Sequence, residues 1–178
     1  MSNDVKEKIR TTLLQLSGQT SIEKINVSML VRECNVSRTL FYYYYQDIYD
    51  VLQDILCQEM EKVIGECLSI PDSERSVCRF VELSVQQFPL MRRILHTKYY
   101  EDAEKLLTRT VKKYLRIAFY QKVGDIPVRT EEAEFILDFM ASGLTAYLFR
   151  LCELSSIDAE QIGQHLHRFI HNSVAAAF

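Results

Sequence analysis

Almost from end to end, apolar residues recur at intervals of three and four, and no alternating run stands between two turn signals. That repeat belongs to an α-helix and not to a β-strand, so it restricts the chain to helix packed on helix. Composition agrees. Five glycines and three prolines are few for 178 residues, and these are the two residues that most disfavour helix interiors. The expected class is all-α, with enough chain for one or two modest cores.

Breaks in the pattern divide the helices. A first helix is expected from about Asp4 to Leu16, with Val5, Ile9, Leu13 and Leu16 as one apolar stripe. Asp4 with Glu7 has the form of a capping box, and Ser17-Gly18 supplies the stop. Three caps follow in close order. Asn26 opens a short helix through Cys34 with Val27, Leu30, Val31 and Cys34 inward, and Ser37 opens another through about Tyr44. Asp47 opens a long helix whose buried side carries Ile48, Val51, Leu52, Ile55, Leu56, Val63 and Ile64.

Ile70-Pro71-Asp72-Ser73 breaks that helix and starts one with Val77, Phe80, Val81, Val85 and Phe88 inward. Pro89 begins a short helix reaching His96. A longer one from about Glu101 to Val123 buries Leu107, Val111, Tyr114, Leu115 and Ala118, and its Lys105, Arg109, Lys112, Lys113 and Arg116 face reads as solvated. Gly124-Asp125-Ile126-Pro127 is a loop, after which Thr130 caps a helix with Glu131, Glu132 and Glu134 in its first turn. Two apolar rows run along it: Phe135, Phe139, Gly143, Tyr147 and Leu151, and Ile136, Met140, Leu144 and Leu148. Past Ser155-Ser156, a last helix turns Ile162, Leu166, Phe169, Ile170 and Val174 inward.

No apolar stretch approaches the roughly 20 residues that span a bilayer, and Met1 to Lys8 lacks the layout of a secretory signal. A cytoplasmic protein is expected, with no membrane partner. The five cysteines (Cys34, Cys57, Cys67, Cys78, Cys152) are odd in number and scattered, which argues against a disulfide framework or zinc knuckle. Most of them read as small buried side chains. Net charge is −3, and up to Asp47 six bases stand against five acids. A nucleic-acid reading must therefore rest on a motif and not on a basic patch.

Such a motif is present. Two short helices around a tight turn, the second polar and aromatic on its outer face, have the helix-turn-helix layout. Leu30, Val31, Val36 and Phe41 can form the small core that sets the interhelical angle, and Asn35 tolerates the positive φ of the turn. Arg38 and Thr39 lie in the first turn of the second helix, where arginine suits guanine and the Thr39 and Leu40 methyl groups suit thymine. Of the tyrosine run from Tyr42 to Tyr45, Tyr45 is expected in the core.

The stretch Val27-Ser-Met-Leu-Val-Arg-Glu-Cys-Asn-Val-Ser-Arg-Thr-Leu-Phe-Tyr-Tyr-Tyr-Tyr-Gln-Asp-Ile-Tyr-Asp-Val-Leu52 resembles the DNA-binding segment of TetR-family regulators. The family pattern there is an Ile-Ala-x-x-Ala-Gly-Val-Ser core, a Thr-(Leu/Phe)-Tyr-x-His-Phe recognition helix, and a Lys-x-x-Leu helix start. Phe-Tyr-Tyr through Gln-Asp-Ile-Tyr-Asp is also similar to the branch containing dihydroxyacetone-kinase regulators, some of which work with a partner protein. The resemblance implies base contacts by Arg38, Thr39 and Leu40, and phosphate contacts by Tyr42, Tyr43 and Tyr44, with Ser28 and Ser37 alongside. Three positions depart from the pattern. The glycine is Asn35, the histidine is Tyr44, and the phosphate-clamping lysine is Ile48, flanked by Asp47 and Asp50.

The same resemblance implies a homodimer on double-stranded DNA, by default a repressor, with residues 1–46 as the reading head and 47–178 as a regulatory and dimerising part. The dimer would use Phe139, Gly143, Tyr147, Leu166, Phe169 and Ile170, which agrees with the small residues Ala141, Ser142, Gly143 and Ala146 on an apolar helix. A small-molecule effector or a partner protein would act through a cavity lined by Phe80, Phe88, Tyr99, Tyr100 and Tyr114, with Phe119 and Tyr120 nearby. His167 and His171 share a helix face, but no Glu or third ligand joins them, so no metal is expected. No cofactor or catalytic pattern is present, and an enzyme is not expected. The alternative is a helical adaptor governed by a partner protein, with weak or lost DNA binding.

Overall fold

Side-chain caps cut the chain into its elements. A computed structural model describes residues 2–123 and 130–177, with side-chain surroundings over 4–118 and 131–172. The helices are α1 (Ser2–Ser17), α2 (Val27–Glu33), α3 (Arg38–Tyr44), α4 (Ile48–Leu68), α5 (Ser73–Gln86), α6 (Phe88–Ile94), α7 (Tyr100–Val123), α8 (Thr130–Cys152) and α9 (Ala159–Ala177), with a 3-10 turn at Ile22–Lys24. Among the described residues there is no strand. Asn26, Ser37 and Asp47 each accept an amide hydrogen bond three residues on, at 3.0, 3.1 and 2.9 Å, and Asp72 does the same for α5 at 2.7 Å. Each satisfies an amide that a helix start otherwise leaves unpaired. The helix α1 starts at Ser2, which puts Asp4 inside the helix and not at the expected cap position, and the Glu7 carboxylate accepts from Arg10 at 2.7 Å. The loop expected from Gly124 to Pro127 falls outside the described residues, as do the side chains of Phe119, Tyr120, Thr130 and Val174.

Two cores share α4. Ile9, Leu13, Leu30, Phe41, Val51, Leu52 and Ile94 belong to the first, and Val63, Phe80, Val81, Val111 and Leu137 to the second. Each such fully buried side chain contributes about 2 kcal/mol. The first core contains a charge cluster. Arg10, itself buried, donates to Asp54 at 2.9 Å, and the Tyr45 hydroxyl donates to the same Asp54 oxygen at 2.5 Å. Burial works to raise the Asp54 carboxyl, and the Tyr45 and Arg10 bonds overcome it and hold it below the usual carboxylate value. Burial and Asp54 push the Tyr45 hydroxyl above the phenol range.

Two helices bury a different face from their sequence pattern, and a third has a different use for its basic face. On α5 the buried arc runs through Ser76, Phe80, Val81 and Ser84, leaving Val77 and Val85 half-buried. The arc is rotated because α9 covers the other side, where a Cβ on Gly163 would stand 2.6 Å from Cys78 Cα. Close helix approach within the chain therefore occurs at Gly163. Along α8, Leu137, Met140, Ala141 and Phe149 are buried, whereas Phe135, Phe139 and Tyr147 are exposed. This two-sided apolar character makes Glu131–Cys152 long and apolar enough to cross a membrane by length and composition, at a mean hydropathy of 1.4, contrary to expectation. On α7, Lys112 reaches Glu134 and Asp138 of α8 at 3.0 and 2.5 Å, and Arg116 reaches Glu134 at 2.7 Å. These two cations clamp α7 to α8 and are not merely solvated.

Candidate nucleic-acid interface

The turn between α2 and α3 closes by backbone chemistry. Asn35 has φ 48°, and Val36 N donates to Val31 O at 3.0 Å while Asn35 N donates to Arg32 O at 3.2 Å. That pair of bonds is a Schellman closure, in which the left-handed position usually takes Gly and sometimes Asn. Val36 then packs on the first core beside Leu30, Val31 and Phe41, which fixes the direction of α3.

Exposure divides α3 by face. Phe41 is fully buried and Tyr45, just past the end of the helix, is held by Asp54. Arg38 and Thr39 are exposed, and Tyr42 and Tyr43 are 57% and 79% exposed. Leu40 and Tyr44 are half-buried, and Tyr44 packs against the core and edge-on to Tyr43. Ser28, in the first turn of α2, accepts a 2.6 Å hydrogen bond from Arg38 Nη2. Ser37 is committed to capping.

Two arginines of this region have acidic partners. Arg10 is tied to Glu7 and Asp54, and Arg32 lies 3.7 Å from Glu33. Arg38 is held by a neutral hydroxyl, so its charge stays available to an anionic partner. At the position where the family pattern has lysine, Ile48 is buried in the first core. The Arg10–Asp54–Tyr45 cluster was not foreseen from the sequence. Its signal was a charged residue, Arg10, beside the apolar stripe of α1.

The remaining candidate residues fall in two further places. Phe139 and Phe169 are 65% and 54% exposed, with Gly143 and Tyr147 also exposed and Leu166 and Ile170 half-buried against the second core. Between α4, α5, α6, α7 and α8 lies a cavity of about 50 Å³. Of the described aromatics expected around it, Phe88 alone lines it. Phe80 and Tyr114 stack on each other inside the core, Tyr99 stacks on Tyr49, and Tyr100 meets Phe149 edge-on. These rings satisfy one another, and the cavity wall is left mostly to aliphatic and methionine side chains. His167 Nε2 lies 3.0 Å from Ser73 Oγ, and among the described residues no three potential ligands converge on a metal position.

The short helix α6 joins these regions. Arg92 Nε donates to Cys152 O at 2.6 Å at the end of α8, and Arg93 Nη1 donates to Ser17 Oγ at 3.0 Å at the end of α1. Phe88 and Met91 of the same helix line the cavity.

No protein-family model and no curated protein matches the chain. Solved structures do. The chain is similar to the dihydroxyacetone kinase operon activator DhaS at a TM-score of 0.72 and 14% identity, over 97% of each chain. It is similar to the TetR family repressor AlkX from Dietzia sp., implicated in biodegradation of n-alkanes, at a TM-score of 0.62 and 14% identity, over 96% of this chain and 97% of that one. The fatty acid degradation regulator FadR from Bacillus halodurans follows at 0.52 and 14%, over 92% of each. At these identities the likeness establishes the fold: the chain is all-helical with the architecture of TetR-type regulators.

Proposed function

We propose that the chain is a sequence-specific DNA-binding transcription regulator, acting as a cytoplasmic homodimer, with residues 1–46 as the reading head and 47–178 as the regulatory part. The observation that carries the reading is the outward edge of α3, where Arg38, Thr39, Tyr42 and Tyr43 stand exposed while Phe41 and Tyr45 anchor the opposite side. A major groove admits a helix presented in that way. Arg38 suits guanine, Thr39 and the half-buried Leu40 suit thymine methyls, and the Tyr42 and Tyr43 hydroxyls suit phosphates. Ser28 holds Arg38 in position, and Tyr44 supports Tyr43 from the core side.

Dimerisation is supported by exposed apolar side chains that no other described element covers: Phe135 and Phe139, stacked at 6.5 Å, and Tyr147 on α8, and Phe169 on α9. Two copies of α8 and α9 meeting there make a four-helix interface. A signal in the regulatory part would move α6, whose arginines tie α8 to α1, and so change the spacing of the two heads. Repression is the proposed sign; the likeness to a structure described as an activator makes activation the outcome to be separated by a promoter–reporter assay.

Mobility shift of DNA from upstream of the protein's own gene tests the core of this reading. Wild type should bind, with affinity falling as salt rises. Arg38→Ala should weaken binding about tenfold or more, and Tyr42→Phe less, with far-UV dichroism unchanged. Unaltered binding in both variants refutes the contact assignment, and no binding at low salt refutes the DNA reading itself. A second reading is favoured by the near-neutral head and the buried Ile48: a helical adaptor governed by a partner protein, which predicts that second result.

A further inference from the structure

The seven-residue helix α3 is anchored at its start, its middle and its end. The turn at Asn35 and Val36 sets the start, and Phe41 buries the middle. The end is held by a hydrogen bond and not by packing alone. Tyr45, just past the helix, closes the last turn through its amide to Phe41 O at 2.9 Å. Its hydroxyl donates to Asp54 Oδ2, in the second turn of α4, at 2.5 Å. Arg10 Nη1 donates to the same oxygen from α1 at 2.9 Å, and Lys6 Nζ, also on α1, lies 5.3 Å from the centre of the Tyr45 ring. One carboxylate oxygen thus joins α1, the end of α3 and α4.

We infer that Asp54 is a positioning residue for the reading edge: through Tyr45 it locks α3 to α4, so that Arg38, Thr39, Tyr42 and Tyr43 keep one orientation relative to the long helix. As a determinant of DNA affinity this rests on the regulator reading proposed above; as a joint between two helices it does not. Packing does not require the hydroxyl. Tyr45 is 3% exposed, and a phenyl ring would fill the same space without desolvating a hydroxyl and a carboxylate. What the bond adds is direction, since apolar faces tolerate sliding and a charge-assisted hydrogen bond does not. Against burial, the Tyr45 and Arg10 bonds keep the Asp54 carboxyl below its usual value, and burial with the neighbouring carboxylate raises the Tyr45 hydroxyl. An ionised acceptor therefore meets a protonated donor at neutral pH. The other ties across the joint are local: Gln46 N donates to Asp50 at 3.0 Å, and Asp50 N to Asp47 at 2.9 Å. They shape the bend, whereas the Tyr45 bond reaches past it to a point nine residues on. Base readout is sensitive to such a lock, because recognition side chains must be held within about 0.5 Å of their productive positions.

Two variants of the full chain separate this role from stability. In Tyr45→Phe the ring and its packing stay and the bond is lost. In Asp54→Asn the side-chain oxygen can still accept from Tyr45 and Arg10, but the charge that pairs with Arg10 is gone, so this variant should be the less stable in urea. A purely structural cluster would make affinity follow stability, with Asp54→Asn the weaker binder. The positioning role gives the opposite order. Under conditions where far-UV dichroism shows both variants folded, Tyr45→Phe should bind the upstream DNA about fivefold more weakly than wild type, and Asp54→Asn within about twofold of it. Residual dipolar couplings of the backbone amides read the joint without DNA. Those of α3 and α4 should fit one alignment in wild type and in Asp54→Asn, and those of α3 should leave that fit in Tyr45→Phe. Couplings of α3 unchanged by Tyr45→Phe, or an affinity order that follows the urea midpoints, overturn the inference. If wild type binds no DNA, the regulator reading fails and the couplings alone decide the joint.

Discussion

Asp54 receives a tyrosine hydroxyl and an arginine at one oxygen, and Arg10 is buried in that pair. Removing the carboxylate leaves the buried Arg10 with the solvent-exposed Glu7 as its acidic partner and takes the acceptor from Tyr45, so Asp54→Ala should cost about 3 kcal/mol in urea unfolding. Its pKa is lowered in the fold, so the stabilisation is present above the unfolded carboxylate value near 4 and is lost as pH falls through the folded one. The stability gap between wild type and Asp54→Asn should therefore be constant from pH 5 to 8 and narrow below about pH 4; a gap that widens on acidification contradicts the pairing. Ser28 and Arg38 are coupled in the same local sense. If the hydroxyl works by orienting the guanidinium, Ser28→Ala should weaken DNA binding in the wild type and have no further effect in Arg38→Ala. Both residues were readable from the motif. Their 2.6 Å bond was not, because it depends on the angle the turn imposes, and Arg10 with Asp54 was hidden by a separation of 44 positions.

Short helices depend heavily on their ends. With seven residues, α3 is too short to be stable alone, so Ser37→Ala should destabilise the head by about 1 kcal/mol. Hydrogen exchange of the α3 amides reads this directly, and unchanged protection there would show that packing alone holds the helix. The α5–α9 contact has the opposite weakness. A Cβ on Gly163 would meet Cys78 backbone at 2.6 Å and its sulfur at 2.8 Å, so the helices must part to admit it. Gly163→Ala should cost about 1–3 kcal/mol despite the better helix propensity of alanine. The caps of α2, α3 and α4 were legible because each is settled within four residues. The buried arc of α5 was not, since Ser76 is inward only because α9 occupies the neighbouring side.

For the assembled molecule, Gly143 separates folding from association. Nothing lies within 4 Å of a Cβ built there, so Gly143→Leu should leave the far-UV dichroism of the folded chain unchanged while shifting sedimentation from dimer toward monomer. An unchanged dimer refutes the proposed interface. Phe139 and Phe169, uncovered in one chain, should become protected from solvent labelling only in the dimer.

Helical class, helix order and the cap-turn-cap frame of the head follow from the amino-acid sequence alone, because periodicity and capping act over a few neighbouring residues. Which face of α5 and α8 is buried, the clamping of α7 by α8, the charge pair at Asp54 and the makeup of the cavity wall were decided by tertiary packing. Each of those depends on groups far apart in the chain, and an amphipathic or two-sided helix acquires an inside only when its neighbours arrive.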